Sequence, residues 1–260
     1  MNALKKYFKH RKNAITEILK KISSSYTSRN FHQLRVEIKK IDALFELINY
    51  CSKKFHRKEN FSPYKIVFRQ AGKVRELHMV NTMLKKYLHS DPLSGYSNYL
   101  KNILSKERTI FFSITNNKLT EQLNKSYDDV TPLLKKVNTK KGKHYIEKQE
   151  KKLQKILVEK EVATNQLHNL RKLLKKIDYT RQLLKFPKQQ SPNIKKNILP
   201  GLLGKWHDSQ ITTGYLKKAN HYSAINQEEK NLLKKTIAIL AANNTMLLKR
   251  IKLTTATSAM

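Results

Sequence analysis

The chain has 260 residues, with 54 Lys or Arg against 19 Asp or Glu and a formal net charge of +35. Most of its cations therefore lack an acidic partner and must face water, counterions or a polyanion. Six Gly and six Pro are too few for the frequent turns of a β-sandwich or barrel, and the single Cys51 excludes an internal disulfide and a Cys-based zinc site. The first fifteen residues, MNALKKYFKHRKNAI, hold no apolar stretch long enough for a secretory signal. The uncharged run Thr236–Leu248 is too short and too polar to span a bilayer. The expectation is a soluble, cytoplasmic protein.

The periodicity is helical nearly throughout. A first helix is predicted over residues 2–22, with Leu4, Phe8, Ile15, Ile18, Leu19 and Ile22 apolar. Ser23-Ser24-Ser25 loosens the chain, and a second helix runs from Phe31 to Lys53. Ser62-Pro63 reads as the start of a third, with Ser as cap and Pro at the first helical position. It continues to His89 and stops at Asp91-Pro92. A fourth covers 95–125, with a break near Asn116-Asn117, and a short helix begins at Thr131-Pro132. Lys140-Lys141-Gly142-Lys143 reads as a linker. Further helices are predicted over 144–160, 162–186 (closed by Pro187), from Ser191-Pro192 through Pro200-Gly201 to Tyr222, and over 227–253. The tail 254–260 is expected to fray. No stretch alternates with period two, so the fold class is all-α.

An internal repeat sets the expected architecture. His32–Asp42 reads HQLRVEIKKID and His168–Asp178 reads HNLRKLLKKID. A second block follows each copy: Gly72-Lys73-Val74-Arg75-Glu76 and Gly204-Lys205-Trp206-His207-Asp208. Leu84-Lys85-Lys86 recurs as Leu216-Lys217-Lys218 at the same offset as the second block. Two blocks repeated in one order imply a duplicated bundle, with residues 1–126 as the first half, 127–142 as a connection and 143–253 as the second.

The repeated motif carries the chemistry. At about 100° per residue, Arg35 lies near 300° and Lys39 near 340° from His32, so the three form one stripe. Leu34, Ile38, Ile41, Phe45 and Ile48 gather on the opposite side. The second copy behaves alike, with His168, Arg171 and Lys175 opposing Leu170, Leu174, Ile177 and Leu184. Cations on a solvated face are ordinary. The same cation types at the same spacing twice are not required by solubility, and a like-charge row is mildly destabilising. Arg offers a planar fork suited to phosphate oxygens, Lys a movable charge, and His one or two donors according to pH. A phosphate-bearing polyanion satisfies all three. Neighbouring cations are expected to hold both histidines below their usual pKa.

HxxRxxxKK present twice, each time followed by a G-K-x-[RH]-[DE] block, resembles the CHAD domain, the conserved histidine α-helical domain, over essentially the whole chain. The resemblance implies two four-helix bundles related by an internal pseudo-twofold duplication, with a basic surface or cavity between them. It also implies non-catalytic binding of inorganic polyphosphate, with no cofactor, and association with polyphosphate granules. Carried over residue by residue, the implied anion-binding positions are His32, Arg35, Lys39, Lys40, His168, Arg171, Lys175 and Lys176. Lys73, Arg75, Lys205 and His207 follow from the second block. His207 stands where Arg is usual, Glu76 where Asp is typical, and Lys outnumbers Arg. The E-x-E-x-K signature of a fused triphosphate-tunnel domain is absent: Glu159-Lys160-Glu161-Val162-Ala163 ends in Ala, which implies a stand-alone copy.

Other candidate sites are weak. Gly142-Lys143 lacks the remainder of a phosphate-binding loop. The histidines show no H-x-x-x-H zinc pair, and no carboxylate cluster offers magnesium its usual ligands. Trp206, Phe111 and Phe112 read as core; Tyr96 and Tyr99 are candidates to line a cleft. The alternative function is nucleic-acid binding, which the charge supports. Against it, no nucleic-acid motif appears and no aromatics interleave with the basic stripes. A basic membrane-surface helix is disfavoured because the apolar stripes are committed to a core.

Overall fold

The computed structural model describes residues 2–87, 93–158, 163–185 and 198–256. All regular structure among these residues is helical: α1 (Asn2–Leu19), α2 (Ser28–Cys51), α3 (Arg57–Tyr87), α4 (Ser94–Ile114), α5 (Asn117–Val130), α6 (Thr139–Val158), α7 (Thr164–Leu183), α8 (Ile198–Ala219) and α9 (Gln227–Ala256), with 3₁₀ turns at Ser23–Ser25 and Thr131–Lys136. No helix among the described residues is long and apolar enough to cross a membrane.

The chain packs as two compact units, which are not the two halves of the sequence. Among the described residues, the first comprises 2–75, 107–152 and 175–185, and the second 76–87, 93–106, 153–158, 163–174 and 198–256. The expected division at 1–126 and 143–253 is replaced by an interleaved one, in which α3, α4, α6 and α7 each contribute to both units. The length of these helices is the reason. The 31 residues of α3 extend for about 46 Å, more than one small core can cover.

The first unit is built around aromatic rings. Phe45 of α2 meets Phe8 at 5.6 Å, Phe55 at 5.5 Å and Tyr64 at 5.7 Å between centroids, and Tyr26, Phe31 and Phe111 form an adjoining cluster. Edge and tilted pairings of this kind add to the area they bury. The core of the second unit is aliphatic, with Leu77, Val80, Leu84, Leu100, Leu216, Leu233 and Leu240 packed together. There the buried carboxylate of Glu229 accepts from the backbone N–H of Gly95 at 2.8 Å, placing negative charge at the N-terminus of α4.

Several element boundaries differ from those expected. α3 begins at Arg57, not Ser62, and Pro63 lies inside it. Arg57 is tied to Asp42 and Glu46 of α2, and the Ser126 hydroxyl donates to the Asn60 carbonyl at 2.9 Å, so tertiary contacts hold the turn that precedes Pro63. Lys140–Lys143 is the first turn of α6, not a linker. Asn138 caps it, accepting from Lys141 N–H at 2.9 Å, and Gly142 is buried against Leu184. Residues 254–256 remain helical, so the expected fraying does not begin at Thr254. The break between α4 and α5 falls where the asparagines placed it, with Asn116 accepting from Leu119 N–H at 3.1 Å. The stops at Asp91-Pro92 and Pro187, the start at Ser191-Pro192, and residues 159–162 of the E-x-E-x-K comparison lie outside the described residues.

Candidate anion site

α2 has the two faces its periodicity predicts. Leu34, Ile38, Ile41, Phe45 and Ile48 are buried, His32 is exposed, and Arg35 and Lys39 are half-buried. The half-burial of Arg35 has a specific cause. Its Nη1 donates to the backbone carbonyl of Phe68 on α3 at 2.6 Å, and its Cζ lies 4.0 Å from the centroid of the Phe68 ring. The guanidinium also covers the bare backbone of Gly72, one turn further along α3. A Cβ there would lie 3.0 Å from Arg35 Cζ and would overlap Nη1.

Nε of Arg75, also on α3, donates to Nδ1 of His32 at 2.9 Å. The His32 imidazole is held below its ordinary pKa, first by partial burial, then by the charges of Arg75, Lys39, Lys175 and Arg35. Four cations from α2, α3 and α7 thus act on one neutral ring, all within the first unit. Two blocks of the first repeat and one lysine of the second meet here.

The second lysine of each KK pair is placed differently. Lys40 and Arg11 both reach the buried Glu37 carboxylate at 2.8 Å. Lys176 pairs with Glu46, which also accepts from the Tyr145 hydroxyl at 3.0 Å. Lys40 pairs within α2, three residues from Glu37, whereas Lys176 reaches from α7 to Glu46 of α2. Lys73 is exposed and pairs with Glu107 at 3.3 Å.

The second copy of the motif is divided between the units. Lys175 and Lys176 belong to the first; His168, Arg171, Lys205 and His207 belong to the second. There His168 lies 5.3 Å from His207 between ring centroids. By the sequence repeat these positions correspond to His32 and Arg75, but here the contact is between two rings and not a hydrogen bond from a guanidinium. The His168 pKa is lowered by burial and then by Lys172 and Arg171. Lys205 is exposed on α8. Gly204, the counterpart of Gly72, has nothing within 4 Å of where its Cβ would stand.

Phe68 was not among the expected site residues, and it corrects the reading that no aromatic accompanies the basic stripe. Its signal was its place one turn before Gly72 on the same face of α3. Lys39 Nζ also lies over this ring, at 5.7 Å. Trp206 and Phe111 are core as expected, and Tyr96, a candidate to line a cleft, is buried in the core of the second unit.

The fold and this arrangement define an all-α basic protein with a cation cluster assembled from several helices. No family model and no curated protein matches the sequence. Solved structures do match. The crystal structure of the CHAD domain from the plant Ricinus communis superposes with a TM-score of 0.71 at 14% identity, covering 98% of this chain and 90% of that one. PptA from Streptomyces chartreusis superposes at 0.66 and 12% identity, covering 99% and 98%. The chain has the fold of the CHAD domain. The resemblance read from its paired motifs and its all-α class are borne out at the level of fold.

Proposed function

We propose that this chain binds inorganic polyphosphate at the cluster around His32 and performs no chemistry on it. The observation that carries this reading is the convergence of Arg35, Lys39, Arg75 and Lys175 on one neutral imidazole. Arginine forks and lysine charges suit phosphate oxygens, and concentrating four of them costs repulsion that a polyanion relieves. The CHAD resemblance implies the same ligand. Binding without catalysis is supported by the fate of nearby acids: Glu37, Glu46 and Glu107 are each paired with a cation of the protein.

Nucleic acid is the competing ligand. One face of the Phe68 ring is covered by Arg35 at 4.0 Å, so that face is not open to a base. Polyphosphate brings charge without bases and needs no stacking partner. The test is competition of long polyphosphate, RNA and DNA against one labelled polyanion, at equal phosphate concentration and several salt concentrations. Polyphosphate is expected to win throughout; equal or tighter binding of a nucleic acid overturns the reading.

A further inference from the structure

We propose that Gly72 is a positioning residue of the anion site. Having no side chain, it lets the Arg35 guanidinium lie against α3 in one orientation. Gly204 has no such role, so the two repeats contribute unequally. This rests on the reading of the cluster as a polyphosphate site.

Gly72 sits at the centre of a 31-residue helix, where glycine is less favourable than alanine. Conformational freedom does not explain its presence, since no glycine among the described residues has positive φ. Room does. The space a Cβ would fill is occupied by Arg35, with Cζ at 3.0 Å. The same guanidinium is held by the Phe68 carbonyl at 2.6 Å and by the Phe68 ring at 4.0 Å. Phe68 and Gly72 are one turn apart, so carbonyl, ring and bare backbone form a single seat. A seated fork loses less freedom when it grips an anion than a mobile one. A methyl group at 72 displaces only the far end of a flexible side chain, so it should disturb the orientation of Arg35 and not the helix. At Gly204 the same methyl group meets open space.

The test compares Gly72→Ala with Gly204→Ala in the full chain, reading polyphosphate affinity and melting temperature. Gly72→Ala should bind about tenfold more weakly, about 1.4 kcal/mol, and melt no lower than the parent. Gly204→Ala should bind as the parent does. In an Arg35→Ala background, Gly72→Ala should add no further loss, because it acts through Arg35. Phe68→Leu keeps the carbonyl and removes the ring; it should cost about threefold, again only when Arg35 is present. Unchanged affinity in Gly72→Ala, or an equal loss in both backgrounds, overturns the proposal. Should the parent chain fail to bind polyphosphate, the proposed function falls, and a crystal structure of Gly72→Ala still decides the seat. Arg35 displaced from the Phe68 carbonyl supports it; Arg35 still in place overturns it.

Discussion

Arg75 donates its Nε–H to Nδ1 of His32 at 2.9 Å. Because an arginine has only protons to give, the imidazole must accept at Nδ1 and carry its own proton on Nε2. In the free protein the ring is thus a neutral donor set among cations. Arg75→Ala removes both this hydrogen bond and the largest of the charges that lower the His32 pKa. The imidazole should then titrate closer to its ordinary value. An NMR titration of the ring protons checks this, and an unchanged midpoint contradicts it.

Adjacent lysines should behave differently. Lys39 lies beside Phe68 and acts on His32, whereas Lys40 holds the buried Glu37. Lys39→Ala should weaken polyphosphate binding with little change in melting temperature. Lys40→Ala should cost about 1 kcal/mol of stability and leave affinity nearly unchanged. Lys175→Ala and Lys176→Ala should repeat the contrast. Denaturation and binding curves for the four variants decide it.

Leu34 is fully buried on the face opposite the stripe. Leu34→Ala should destabilise the chain by about 2–5 kcal/mol. Arg35→Ala should cost about 1 kcal/mol through the lost Phe68 contacts, and should affect binding far more than stability. Urea unfolding alongside binding separates the two effects.

Stability should fall in mild acid. Burial and neighbouring cations lower the folded-state pKa of His32 and His168. The unfolded chain therefore takes up protons first as pH drops below the ordinary His value of about 6.5. Their contribution is present above that value and is lost below it. Polyphosphate bound at the His32 cluster supplies the opposite charge and should raise the His32 pKa, so binding takes up protons and affinity should rise from pH 8 to about 6. His32→Gln with His168→Gln should flatten both profiles. Identical profiles in parent and variant contradict this assignment.

Four cations define the cluster, so log affinity against log salt should fall with a slope of roughly −3 to −4. A flat dependence would point to a different kind of ligand.

The sequence made the stripe of α2 legible because one helix decides it: periodicity alone separates His32, Arg35 and Lys39 from Leu34, Ile38 and Ile41. The second block also lies beside the first: Arg75 meets His32, and His207 approaches His168. Contacts between helices were not legible. The i,i+3 spacing allows Lys40 to meet Glu37 on its own helix, but nothing in the second KK says that Lys176 reaches Glu46 of another helix. Pro63 and Lys140–Lys143 carry the local signals of a helix start and a linker. Ion pairs from Arg57 and the cap from Asn138 set those boundaries instead. The interleaving of the units depends on helices long enough to serve two cores, which no local pattern reports.

The central claim is that placement, not net charge, makes the anion site. It is tested most directly by two variants that each lose four positive charges. One replaces Arg35, Lys39, Arg75 and Lys175 with Gln; the other replaces the exposed Lys118, Lys125, Lys217 and Lys234. Polyphosphate affinity measured for both at one moderate salt concentration should collapse in the first and change little in the second. Equal losses in the two would mean that polyphosphate responds only to the charge of the whole chain, and would contradict the account.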